Sequence, residues 1–284
     1  MPLEGTTGLA ALVVTSRDRL DLAAVAVESF VTFHPEAPVA VVVVDQLRGA
    51  TVDIADSVEQ LDARALDLRP DRRRDLLAVH GVARARTALV PWGVSALLDR
   101  GHRRVLSLPD DACTYRRLDD FVELADGDGV SVVPRVAVPL DDDGCWPSSS
   151  DLAREGFHDP DLISWPSTLG ARRLLRWRKQ QLLRSCDEGR TDAGDRPLPS
   201  FDVGLSWFGA HPTPDLGLGL SAWNRHERDV RPGPAGLEVG GWPLRTVRFD
   251  GEPAHDHARP PASTHLADLA AEHAARVAAV SAGR

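Results

Sequence analysis

The chain has 284 residues, 43% of them hydrophobic, which is enough for one large α/β core or two small ones. Its net charge of −9 argues against a broad nucleic-acid or anionic-membrane surface, and no apolar run approaches the roughly 18 to 20 residues of a membrane span. Three cysteines, Cys113, Cys145 and Cys186, lie far apart without a C-x-x-C, so neither a disulfide framework nor a cysteine-rich zinc site is indicated and a reduced cytoplasmic setting fits. Met1 to Gly5 lacks the basic start of a signal peptide. Lys179 is the only lysine among 33 basic residues, a bias that reads as high-GC coding and discounts arginine as a functional signal.

Leu9 to Val14 is a continuous apolar run, the pattern of a strand buried on both faces. Thr15-Ser16-Arg17-Asp18 then offers small polar residues that cap a helix or present N–H groups to an anion. Asp21 to Phe33 has helical apolar spacing, and Val39 to Val44 is a second buried strand ending in Asp45. In this β-α-β unit, Asp45 either holds the ribose or base edge of a nucleotide or caps the strand. Gly49 to Leu68 reads as a short helix over Ile54 to Leu61 and a strand over Arg64 to Leu68. Asp71 to Val79 predicts a charged helix, and Val82 to Asp99 another with Pro91-Trp92 as a kink or junction.

Arg103 to Tyr115 is the stretch around which the rest is organised. Its apolar strand runs into Asp110 and Asp111, at the carboxyl edge where open α/β sheets bind ligands. Such carboxylates suit a hard cation holding a diphosphate, and Pro-Asp-Asp is equally ordinary turn chemistry. A helix over Leu118 to Ala125 and a strand over Val130 to Pro134 continue the alternation, which implies a mostly parallel sheet. Leu9–Val14, Val39–Val44 and Val105–Leu108 should be neighbours in it, with Thr15, Asp45 and Asp111 on one rim.

The second half is less regular. Leu140 to Ser150 is a turn-rich loop, Leu162 to Leu169 reads as a strand, and Arg172 to Cys186 is an amphipathic helix with Leu174, Leu175, Leu182 and Leu183 inward. Glu188 to Pro199 is linker-like, and an alanine-rich helix over Ser263 to Val280 follows Pro260-Pro261. His255-Asp256-His257 reads as a solvated turn more readily than as a metal site. Trp177 is a core candidate, and Trp146 in its loop is the better candidate to stack on a sugar. No Walker A loop, G-x-S-x-G, H-E-x-x-H or G-x-G-x-x-G is present, which disfavours ATPase, hydrolase and dehydrogenase readings.

Five stretches in order carry a resemblance: Ala26 to Pro35; Thr87 to Trp92 with Leu97 to Gly101; Val105 to Asp111; Thr168 to Gly170; and W-N-R-H-E-R at Trp223 to Arg228. Together, over residues 9 to about 252, they resemble a bacterial family of GT-A-type glycosyltransferase-like domains that use nucleotide-activated sugars. The resemblance implies one α/β, GT-A-like domain over residues 1–260, with a mostly parallel central sheet flanked by helices and a helical tail over 261–284. It implies a nucleoside-diphosphate-sugar donor, an acceptor, and a divalent metal, Mn²⁺ or Mg²⁺. Thr15, Ser16, Asp45, Asp110, Arg225 and Arg228 would hold the donor, Asp111 and His226 the metal, and Trp146 would lie on the acceptor side. No nucleic-acid partner or integral membrane segment is expected.

The departures from that family are specific. Pro109 stands where the family's strand carries its first aspartate, Val90 where it often has lysine, and Thr168 where it has asparagine. A D-Q motif is missing unless Phe201-Asp202 replaces it. The alternative to an enzyme is therefore a catalytically inactive module of the same fold that binds a sugar nucleotide or a partner protein.

Overall fold

Leu9–Thr15 (β1) is apolar along its length because both faces of its sheet are covered. Successive side chains point to opposite faces, so Ala10, Leu12 and Val14 join one core and Ala11 and Val13 the other. The computed structural model describes residues 8–45, 58–62, 65–125, 127–188, 198–249 and 257–283. One turn of tight helix (Arg17–Arg19) leads from β1 into α1 (Leu20–Phe33), then β2 (Val39–Val43), β3 (Val58–Gln60), α2 (Pro70–Asp99) and β4 (Arg104–Leu108). The chain continues through β5 (Ala112–Thr114), α3 (Asp119–Val122), β6 (Val130–Pro134), α4 (Ser149–Glu155), β7 (His158–Pro166), α5 (Leu169–Glu188), α6 (Asp202–Phe208) and β8 (Ala210–Pro212). It ends with β9 (Val230–Gly233), β10 (Gly236–Val239), β11 (Trp242–Pro243), β12 (Thr246–Arg248) and α7 (His265–Ala282).

The central sheet has seven strands in the order β3-β2-β1-β4-β7-β6-β8, and only β7 runs against the others. The three apolar strands expected to be neighbours are β2, β1 and β4, paired in parallel. One face packs on α2 and α5 through Leu89, Trp92, Leu97, Leu174 and Leu182. The other packs on α1 and α3 through Ala23, Val27, Phe30, Phe121 and Val122. A β-carbon added at Gly93 would come within 2.7 Å of the Leu12 side chain, so α2 sits close on β1 and any larger residue there would have to displace Leu12. Two smaller sheets, β11-β10-β9 and β12-β5, close one end, and α7 packs on them and on α1.

Several expectations need correction. The helix expected over Ile54 to Leu61 is instead an edge strand at Val58–Gln60, paired with β2; Ile54 to Ser57 lie outside the described residues. Ala65–Leu68 is bent chain rather than a strand, and Arg64 is likewise outside the described residues. α2 breaks at Gly81, where φ is +73°, and runs on through Pro91. Glycine reaches that left-handed backbone without a β-carbon clash, whereas a proline can be carried inside a helix whose other face is firmly packed. β7 begins four residues before the expected Leu162 and ends at Pro166. The helix expected over Leu118 to Ala125 is reduced to Asp119–Val122. Most of the linker-like stretch and of the His255-Asp256-His257 turn lies outside the described residues.

Candidate functional site

Strand order reverses between β1 and β4: the chain proceeds outward through β2 and β3 on one side and through the β7, β6 and β8 half on the other. That crevice, beyond the carboxyl ends of parallel strands, is where open α/β sheets place ligands. Thr15 ends β1, and Asp110 and Asp111 follow β4, whose Leu108 pairs with Val13. The Thr15 hydroxyl donates to Asp110 Oδ2 at 2.8 Å. Asp45, beyond β2, accepts the backbone N–H of Arg17 at 2.9 Å, which ties the turn after β1 to the neighbouring strand end. Thr15, Ser16, Asp45, Asp110 and Asp111 thus share one rim, and Ser16 is buried in the turn.

Arginines fill the space between the acids. Arg19 grips Asp110 through Nε and Nη2, at 3.1 and 2.9 Å, and reaches Asp111 at 3.0 Å. Arg86, one helical turn past the Gly81 break, donates Nη1 to Asp110 at 2.9 Å. Arg248 of β12 donates Nε to Asp111 at 3.0 Å and Nη1 to Asp159 at 2.9 Å, and lies 3.7 Å from Asp161. Burial and the neighbouring Asp111 charge push Asp110 up to about 6. Burial also works against the charge on Asp111, but Arg248 and Arg19 outweigh it and hold that carboxyl below the usual range. Asp161 is raised to about 6 by burial, with Arg248 pulling the other way. Both carboxylate oxygens of Asp110 and both of Asp111 are already committed to guanidinium groups.

A divalent metal on Asp111 and His226 does not fit this arrangement. Both Asp111 oxygens already accept from Arg248 and Arg19, and His226 lines neither of the cavities beside Asp110 and Arg248. Among the described residues, the set whose ligand atoms close within 4.8 Å is His34, Glu36 and Asp119, elsewhere in the fold. It is poorly suited to a cation as well. His34 Nε2 accepts the Leu118 N–H, so Nδ1 carries the proton, and Arg117 pairs with both carboxylates.

The W-N-R-H-E-R stretch builds the wall of the cleft rather than reaching into it with its charges. Asn224, fully buried, accepts the Ser221 N–H at 2.9 Å and donates to the carbonyls of Arg135 and Gly219 at 2.8 and 3.0 Å. Glu227 accepts the N–H groups of Ala137 and Val138, at 2.7 and 3.1 Å, and so fixes the loop after β6. Arg228 is buried against the carbonyls of Leu216, Leu218 and Pro134, and burial lowers it to about 10. It braces backbone, which departs from the donor-binding position expected of it. Arg225 lines a different cavity, of about 230 Å³, beneath α7 with Leu220, Val247 and Leu266. His226 is half-buried, and burial lowers its pKa. Trp146 does not line the cleft; its ring lies 5.0 Å from that of Trp223, which does.

Residues that the sequence reading passed over supply most of the cleft: Arg19, Arg86, Thr87, Arg135, Arg178 and Arg248. One signal was available for Arg178. It falls four residues after Leu174 and four before Leu182, on the apolar face of α5, where a charge needs a reason. Asp202, in the position of the missing D-Q motif, accepts from His158 Nδ1 at 2.7 Å and from the Phe157 N–H at 2.8 Å.

Solved structures resemble the chain along most of its length at very low identity. One is a galactosyltransferase, LgtC, in complex with donor and acceptor sugar analogues, 13% identical over 95% of both chains with a TM-score of 0.47. An active-site mutant of LgtC is 13% identical, covering 93% of this chain and 95% of that one at a TM-score of 0.46. Mouse xyloside xylosyltransferase 1 in its apo form is 12% identical, over 76% of this chain and 88% of that one, at 0.43. These three are glycosyltransferases. No protein-family model matches the chain, and no curated protein does.

Proposed function

We propose that the rim cleft binds a nucleoside-diphosphate sugar and that the protein transfers the sugar to an acceptor. The observation that carries this reading is the concentration of Thr15, Arg19, Arg86, Asp110, Asp111 and Arg248 at the crevice where the strand order reverses. The nucleoside would lie over the Thr15–Arg19 turn, with Asp45 beside it. Arg19 Nη1 and Arg86 Nη2 make no hydrogen bond among the described residues, which leaves N–H groups for phosphate oxygens next to firmly anchored guanidinium planes.

In this reading the acids orient the arginines, and the arginines meet the charge that develops on the departing diphosphate. Groups held rigid before the reaction stabilise such charge without reorganising. Charge neutralisation by Mn²⁺ or Mg²⁺ at Asp111 has no place in it, because that carboxylate is taken up by Arg19 and Arg248. None of the three cysteines forms a disulfide among the described residues, in keeping with a cytoplasmic setting, and no described helix is long and apolar enough to cross a membrane.

The same saturation of Asp110 and Asp111 favours a second reading, a sugar-nucleotide-binding module that has lost turnover. Calorimetry with UDP-, GDP- and dTDP-sugars, with and without Mn²⁺, tests both. Binding of one donor with slow release of free nucleoside diphosphate supports transfer, binding without release supports the module, and binding of none sinks both.

A further inference from the structure

Beyond Arg248 the cleft opens into a cavity of about 190 Å³ between α2, α5 and the start of β7. Two guanidinium groups in its wall lack an acidic partner. Arg178 is 4% exposed, donates Nη1 to the Pro199 carbonyl and lies over the Phe201 ring at 5.3 Å. Arg135 donates to the carbonyls of His158 and Glu155 at 3.3 and 3.4 Å and lies over the Trp223 ring at 4.2 Å. Neither forms an ion pair with a carboxylate among the described residues. Asp161 and Asp202 act on Arg178, and Asp159, Asp161 and Glu155 on Arg135, but Asp161 is committed to Thr87 and Arg248, Asp159 to Arg248, Asp202 to His158 and Phe157, and Glu155 to Arg154. Burial lowers both arginines, Arg178 to about 10.

A buried cation without a directly paired counter-charge costs several kcal/mol; Arg178 is one, and the half-buried Arg135 lines the same cavity. Arg19, Arg86 and Arg248 are each matched to a buried aspartate, and the buried Arg228 is held by three backbone carbonyls with Glu227 at 3.9 Å, whereas Arg178 has one carbonyl and no carboxylate at ion-pair distance among the described residues. Among the described residues no carboxylate pairs with Arg135 or Arg178, which leaves both open to an anionic ligand. The aromatic rings hold the two guanidinium planes, and Asn224 anchors the Arg135 backbone, so their N–H edges are fixed rather than free to search.

We infer that this cavity is an oxyanion site that takes a carboxylate or phosphate group, and that it selects acceptors bearing one. As an acceptor site it rests on the glycosyl-transfer reading; as an anion site it stands on the two guanidinium groups alone. The planar fork of each arginine suits the paired oxygens of a carboxylate or phosphate.

The test is calorimetry on the full chain without any donor, using glucuronate and glycerophosphate, with glucose and glycerol as their neutral counterparts. Binding of either anion without its neutral counterpart is expected; which one binds separates the carboxylate from the phosphate source. Arg178→Met and Arg135→Met should each weaken that binding about tenfold or more. Arg178→Met should also melt at the same temperature as the parent or higher, because it removes an unpaired buried charge, so loss of binding is not loss of fold. Absence of anion binding in the parent, or binding unchanged in both variants, overturns the proposal. Donor calorimetry reports separately on glycosyl transfer, so the two readings fail independently.

Discussion

Arg248 Nε donates to Asp111 Oδ1 at 3.0 Å, joining residues 137 positions apart. Through this bond β12, one of the last strands in the chain, supplies the counter-charge for an acidic turn that follows β4. The same guanidinium holds Asp159 near the start of β7, so one side chain links three elements of the cleft.

Arg248→Met should therefore cost about 3 kcal/mol or more of stability, since it leaves Asp159 buried without its cation and Asp111 with Arg19 alone. Urea unfolding at neutral pH measures this directly. Part of the loss should be recovered at low pH, where the stranded carboxyls take up protons; a loss below about 1 kcal/mol would show that the pairing matters little.

Donor affinity measured in Mn²⁺ and in EDTA should coincide. Asp111→Asn should lower the unfolding midpoint, because Arg248 and Arg19 lose a charged acceptor, and should leave the insensitivity to chelation unchanged. A steep drop in donor affinity on chelation would return the metal to Asp111.

Stability should depend on Asp161 in a predictable direction. Burial raises its carboxyl to about 6, so between pH of about 4 and 6 the folded chain holds a proton that the unfolded chain has released. The contribution of this group is fully present below the ordinary aspartate range and is lost as pH rises through about 6. Asp161→Asn should raise the stability at pH near 7.5 by ~1–2 kcal/mol, and the gain should disappear toward pH near 4. Thermal melts of parent and variant across that range provide the check.

Asn224→Ala should cost about 2 kcal/mol, since it strands the Ser221 N–H and the carbonyls of Arg135 and Gly219 in a buried setting. Denaturant unfolding reads the loss. An unaffected midpoint would mean that the Trp223–Arg228 turn does not depend on this side chain.

Local pattern was enough to read the sheet. Continuous apolar runs at Leu9–Val14 and Val39–Val44 require cover on both faces, and the helical spacing between them supplies it. The rim followed, because residues after parallel strands share an edge. What local pattern does not carry is the pairing of charges across the fold. Nothing near Asp110 announces Arg19 or Arg86, and arginine abundance drowned the signal of Arg178 on its apolar face. Val58–Gln60 has no alternation to mark it, since it becomes a strand only by lying on the edge of β2. In W-N-R-H-E-R, the charged letters drew attention to Arg225, His226 and Arg228, while Trp223 and Asn224 are the residues that shape the cleft wall.

The 137-residue span between Asp111 and Arg248 also has a meaning in time. A ribosome adding ~10 residues per second needs more than about ten seconds to pass from one to the other. Throughout that interval a nascent chain already carrying β1, β2 and β4 has Arg19 for Asp111 and lacks the second cation. The cleft reaches its final electrostatic state only when β12 is made, so a product that terminates before it leaves Asp111 with Arg19 as its single cation.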